Sequence, residues 1–142
     1  MKAIVLGFVV LINISGCATS PVSIKDAQTV PADRILRMER LPLDGNARAL
    51  FVRDEGFLGS GLYQHLYIDG KKAASLNPGE KVEFVLSPGE HIFGVIPTDP
   101  FGTTSLNSID QDLKPGKRYF YRIKTDGNTF RTDVQRFVPE TE

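Results

Sequence analysis

From Ala47 onward the chain alternates apolar and polar residues in short runs broken by Gly, Pro, Asn and Asp. That period of two predicts half-buried strands, because successive side chains of a strand point to opposite faces. The first run is Ala47–Arg53, with Ala49 and Phe51 alternating against Arg48, Leu50 and Val52. The second, Leu62–Ile68, sets Leu62, Leu66 and Ile68 on one face and Tyr63, His65 and Tyr67 on the other. Further strands are expected at Lys71–Leu76, at Lys81–Leu86 with Val82, Phe84 and Leu86 inward, and at His91–Ile96. Arg118–Thr125 and Thr129–Val138 complete the set, after a longer irregular excursion from Pro97 to Leu113. The segment Asp33–Leu41 reads equally as a helix or an edge strand, and Pro42 with Asp44-Gly45 ends it.

The punctuation between the runs has a mechanism. Asp69-Gly70 is a two-residue hairpin signal, since both residues tolerate positive φ. Asn77-Pro78-Gly79-Glu80, Ser87-Pro88-Gly89-Glu90 and Lys114-Pro115-Gly116-Lys117 repeat one turn chemistry, proline presetting φ and glycine taking the positive value after it. Short strands at regular spacing with such turns predict an all-β sandwich or barrel, and no segment has the helical length of a βαβ unit.

Three pieces together, Tyr67-Ile68-Asp69-Gly70-Lys71, Asn77-Pro78-Gly79-Glu80 and Ser87-Pro88-Gly89-Glu90-His91, are similar to PEGA-like domains. They also resemble a related group of small bacterial lipoprotein domains. The resemblance covers Arg53 to Val95. It implies a single immunoglobulin-like antiparallel β-sandwich serving as a surface or accessory module, and it supplies no catalytic residues. The domain is expected over 33–142.

The N-terminal pattern is different. Lys2 is followed by the apolar stretch Ala3–Ile12, then by Ile14-Ser15-Gly16 and Cys17. A charged tip, an apolar stretch and small residues form a secretory signal. The apolar run is about half the ~20 residues a spanning helix needs. Ile-Ser-Gly before Cys17 resembles the lipobox of bacterial lipoproteins, which implies a signal peptide at 1–16, cleavage before Cys17 and lipidation (palmitate) of Cys17. In such lipoproteins Ala18 after the cysteine favours the outer membrane, facing the periplasm. Residues 17–32, rich in Thr, Ser, Pro, Lys, Asp and Gln, read as a flexible tether lifting the domain off the bilayer.

Composition narrows the function. Lys plus Arg and Asp plus Glu both number 17, so net charge is zero and nothing draws the chain to nucleic acid. Cys17 is the single cysteine, so no disulfide within the chain staples the fold, and a core must come from the 41% hydrophobic residues.

Candidate chemistry is sparse. His65 and His91 could meet across paired strands as metal ligands but need a third donor. Asp99, Asp110 and Asp112 fall in the irregular excursion, with part of the spacing of a calcium loop and no closing glutamate. The glycines of Gly56–Gly61 lack the strand-to-helix setting of a phosphate loop. At that loop's tip, Phe57 and Leu58 are candidate partner contacts. Ser60, Ser75, Ser87, Ser105 and Ser108 lie in no nucleophile elbow. On Arg118–Thr125, Tyr119, Tyr121 and Ile123 read as core, leaving Phe120, Arg122 and Lys124 as an outer strip for sugar or protein. The expectation is a non-enzymatic, lipid-anchored cell-envelope protein that presents its sandwich for protein or envelope contacts, with no cofactor, metal or catalytic residue. The alternative is a glycan- or peptidoglycan-binding module.

Overall fold

In this computed structural model the described residues are 20–36, 41–56, 61–98, 105–126, 129 and 131–139. The signal segment 1–16, Cys17, Phe57, Leu58 and Asp99 lie outside them. The described chain forms β1 (Gln28–Thr29), a 3-10 turn (Ala32–Arg34), β2 (Ala47–Arg53), β3 (Gln64–Ile68) and β4 (Lys71–Leu76). It continues through β5 (Glu80–Leu86), β6 (Gly89–Pro97), β7 (Asn107–Leu113), β8 (Arg118–Thr125) and β9 (Thr132–Phe137). Two sheets pack face to face as a β-sandwich, one in the order β1-β5-β2-β8-β9 and the other β4-β3-β6-β7. Among the described residues, no helix is long and apolar enough to cross a membrane.

Local turn chemistry closes the β3–β4 hairpin as expected: Asp69 and Gly70 take φ of 51° and 75°. The Pro-Gly turns do something else. Those after β4, β5 and β7 carry the chain from one sheet to the other, so the strands they join are not paired. β2 is flanked by β5, antiparallel, and β8, parallel, with Phe51 opposite both Val82 and Tyr121.

The centre of the core is aromatic. Phe51 stacks on Tyr121 with ring centroids 5.0 Å apart, and Phe93 of the other sheet meets them edge-on at 5.0 and 4.9 Å. Leu66, Ile68, Val82, Phe84, Leu86 and Ile123 surround them. The inward faces of β5 and β8 are those the alternation assigns.

Two expectations need correction. The stretch 17–32 is not a tether over its described part. β1 pairs in parallel with β5, the Gln28 and Val30 N–H groups donate to Gly79 and Lys81 carbonyls at 2.9 Å, and Val22, Ala27 and Val30 are buried. Val22 and Ala27 pack on Leu50 and Val52. This N-terminal segment therefore covers the outer face of β2, which explains why β2 is buried on both faces instead of alternating. Second, the excursion 97–113 contains β7, a seven-residue edge strand paired with β6. The 33–41 segment, left open between helix and strand, starts within the 3-10 turn. Among its described residues Ile35 then bridges to Ala74, and the Leu36 N–H donates to the Ala73 carbonyl at 2.7 Å.

Candidate functional site

The outer strip of β8 becomes one wall of a cleft. Alternation turns Phe120 and Arg122 away from the core, and the β8–β9 register sets Phe137 opposite Phe120. The two rings meet edge to face at 6.2 Å and 65°. Arg118 lies 5.1 Å from the Phe120 ring centroid and Arg122 4.4 Å from that of Phe137. The opposite wall is the N-terminal segment Pro21–Lys25, with Val138 and Pro139 beside Phe137, and together they enclose about 670 Å³.

Charge in the cleft is largely paired. Arg118 Nε donates to Glu83 at 2.6 Å. Arg122 donates to the buried Asp54 carboxylate and, at 3.1 Å, to the Val22 carbonyl. Asp54 also accepts the Val22 N–H at 3.3 Å, so one carboxylate ties the N-terminal wall to the sheet wall. Paired guanidinium groups lying over aromatic rings are good at holding geometry and at contacting polar backbone. They are poor at proton transfer. Lys124 shares the outward parity of this strip but is not part of the lining.

The histidines do not come together. β3–β6 register places His65 opposite Ile96, whereas His91 lies beyond the Ile68–Phe93 pair at the other end. His65 Nδ1 and Nε2 each face a hydroxyl, Ser75 Oγ and Thr98 Oγ1, both at 2.9 Å. Burial first, and the Lys72 charge second, push its pKa down and favour the neutral ring. Ser75 thus sits on a potential base, but with both ring nitrogens occupied by hydroxyls there is no position for the carboxylate that orients a catalytic histidine. His91 Nδ1 lies 2.8 Å from Asp69 Oδ2, and its Nε2 lies 2.8 Å from the Ser87 carbonyl. Both partners are acceptors, and the ring between them links the Asp69 turn to the Ser87 turn at that end.

Asp110 and Asp112 stand on the exposed face of β7 rather than in a loop, with Asp112 paired to Lys114. Among the described residues no group of three His, Cys, Asp or Glu could hold a metal ion.

Sequence reading missed the ionic cluster at the end of the sandwich where β2 finishes and β5 begins. Arg34 donates twice to Glu80, at 2.7 and 2.5 Å, and Glu80 accepts the Asn77 N–H at 2.7 Å. The nearly inaccessible Arg53 donates to the Leu62 and Leu76 carbonyls at 2.7 and 2.6 Å. Desolvation lowers the Arg53 pKa to about 10 against the opposing pull of Glu80. Between the sheets at this end, Gln64 Nε2 donates to Thr132 at 3.0 Å and Thr125 at 3.3 Å. The cluster clamps β2, β4, β5 and the 3-10 turn together. Its members are far apart in sequence, and the cleft's N-terminal wall has no periodicity, so neither had a local signal.

Comparison with protein-family models and with curated proteins returns no match to this chain.

Proposed function

We propose that this chain is a non-enzymatic, lipid-anchored protein of the bacterial cell envelope. Lipidated Cys17 would hold it at the membrane, the outer one by the residue that follows, and its sandwich would present the Phe120–Phe137 cleft to a partner. The observation that carries this reading is the cleft itself: one wall is the segment Pro21–Lys25, which begins four residues after Cys17, and its arginines are committed to carboxylates and rings. Anchor and binding surface are thereby one continuous piece of chain. Assignment of the sandwich to the immunoglobulin-like type rests on the resemblance and the two-sheet packing, with the parallel β2–β8 pair as a departure from a purely antiparallel plan.

A protein partner fits better than a glycan. Phe120 and Phe137 meet at 65° instead of lying coplanar, so they offer no flat stacking platform for a sugar ring. An extended peptide would use the apolar floor and the polar backbone of the Pro21–Lys25 wall.

Replacing Cys17 with Ser should move the protein from the membrane to the soluble fraction on cell fractionation. Unchanged membrane association would sink the anchor. A photo-crosslinking residue at Val138, 89% exposed at the cleft lip, should yield a discrete protein adduct in cells that Phe120→Ala diminishes. Adducts indifferent to Phe120→Ala, or found only with peptidoglycan fragments, would count against a protein-binding cleft.

A further inference from the structure

If Cys17 carries the lipid, the structure places the bilayer very close to one particular end of the sandwich. Ser20 is already built into the domain: its N–H donates to the Glu55 carbonyl at 2.6 Å, and the Glu55 N–H donates back at 3.1 Å. The next contact follows at once, the Val22 N–H on Asp54. Only three peptide units separate Cys17 from Ser20, and consecutive Cα atoms are 3.8 Å apart, so the anchor reaches at most about 11 Å from the fixed Ser20. A leash of that length cannot lift a domain clear of the headgroups.

Glu55 follows β2 directly, at the end of the sandwich where β3 and β5 begin and β4 finishes. The same end carries Leu62 and Tyr63, which are 38% and 40% exposed. Arg53 grips the Leu62 carbonyl and Arg34 lies 5.3 Å from the Tyr63 ring centroid, so both residues are held in place rather than dangling. A leucine beside a tyrosine suits the boundary between headgroups and acyl chains, the tyrosine ring burying its apolar body while its hydroxyl stays wet. The opposite end holds the Asp69-Gly70 turn and Lys71, about 20 Å away at ~3.3 Å per residue of β3.

We infer that the end formed by the Ser20–Glu55 bridge, Leu62 and Tyr63 rests on the lipid surface, so that the domain stands end-on against its own membrane. This rests on the lipid-anchor reading and adds an orientation to it. In that pose the Phe120–Phe137 cleft, on the outer face of a sheet, runs up the side of the standing domain and is open to partners arriving laterally.

The test uses the full chain, purified from membranes with its lipid and reconstituted into phosphatidylcholine vesicles containing a headgroup nitroxide. A fluorophore at Leu62→Cys, or at Tyr63→Cys as a second site, should be quenched several-fold more than one at Lys71→Cys. A flexible Gly-Ser spacer of about 15 residues after Ala18 should erase the difference. Equal quenching at both ends with Cys17 acylated by mass spectrometry would overturn the orientation and leave the anchor standing. A preference that survives the spacer would overturn the role given to the short link. An unmodified Cys17 in the purified protein would overturn both.

Discussion

Truncating Phe93 to alanine should destabilise the domain by about 3–5 kcal/mol, the range for removing a fully buried aromatic side chain. Phe93 is wholly inaccessible and comes from β6, whereas the rings it meets, Phe51 and Tyr121, stack together on the opposite sheet. It is therefore the ring that joins the two layers. Its removal opens a cavity that neither sheet can close without moving as a whole, because the core around it is close-packed and each sheet is cross-linked by its ladders. For a domain of this size the melting temperature should fall by roughly 10–20 °C. The neighbour Ile92 supplies the control: it is 49% exposed on the other face of the same strand, and Ile92→Ala should change stability by less than about 1 kcal/mol. Similar losses at the two positions would show that the sheets do not depend on the aromatic centre.

Replacing Glu80 with glutamine should lower stability by about 2–3 kcal/mol at neutral pH. This is somewhat below the 3–5 kcal/mol for breaking a fully buried pair, since Arg34 keeps partial contact with water. The carboxylate binds both Arg34 nitrogens and the Asn77 N–H, and faces the buried Arg53. Burial by itself works against its charge. The Arg34 hydrogen bond, the Asn77 N–H and the charges of Arg34 and Arg53 together outweigh it and hold the carboxyl below the ordinary glutamate range. A group whose folded pKa is depressed contributes its stability above its unfolded pKa, about 4.3 for glutamate, and loses it as pH falls through the folded value. The gap between wild type and Glu80→Gln should therefore be full at pH 6–7 and shrink steadily below about pH 4. Urea denaturation of both proteins across that range reads it directly. A gap that stayed constant into acid would show that the charge is not what the cluster uses.

Which parts of this architecture were legible in the chain follows from the range of the forces involved. The Asp69-Gly70 hairpin could be read because positive φ is a local property of two residues. The inward set of β8, Tyr119, Tyr121 and Ile123, could be read because one face meets the core and the other does not, which leaves a clear period of two. β7 escaped notice because its only large apolar residues are Ile109 and Leu113. As an edge strand it draws most of its order from the β6 ladder. The Pro21–Lys25 wall escaped for a related reason. Val22, Ala27 and Val30 are single apolar residues in a polar stretch, Val22 and Ala27 packing on the outer face of β2 and Val30 in the main core, so no pattern accumulates. The Arg122–Asp54 and Arg34–Glu80 pairs join residues 68 and 46 positions apart, a separation that no spacing rule reaches.

By itself, the sequence determined the strand character of the chain, the positions of its tight turns, and which residues of β5 and β8 face inward. These depend on backbone preference and local periodicity. Only the tertiary structure decided that the Pro-Gly turns switch sheets, that β2 is covered on both faces, and that Phe120, Phe137 and the segment after Ser20 enclose a cleft. Those outcomes depend on which distant surfaces exclude water together, and a hydrophobic face carries no label naming the face it will meet.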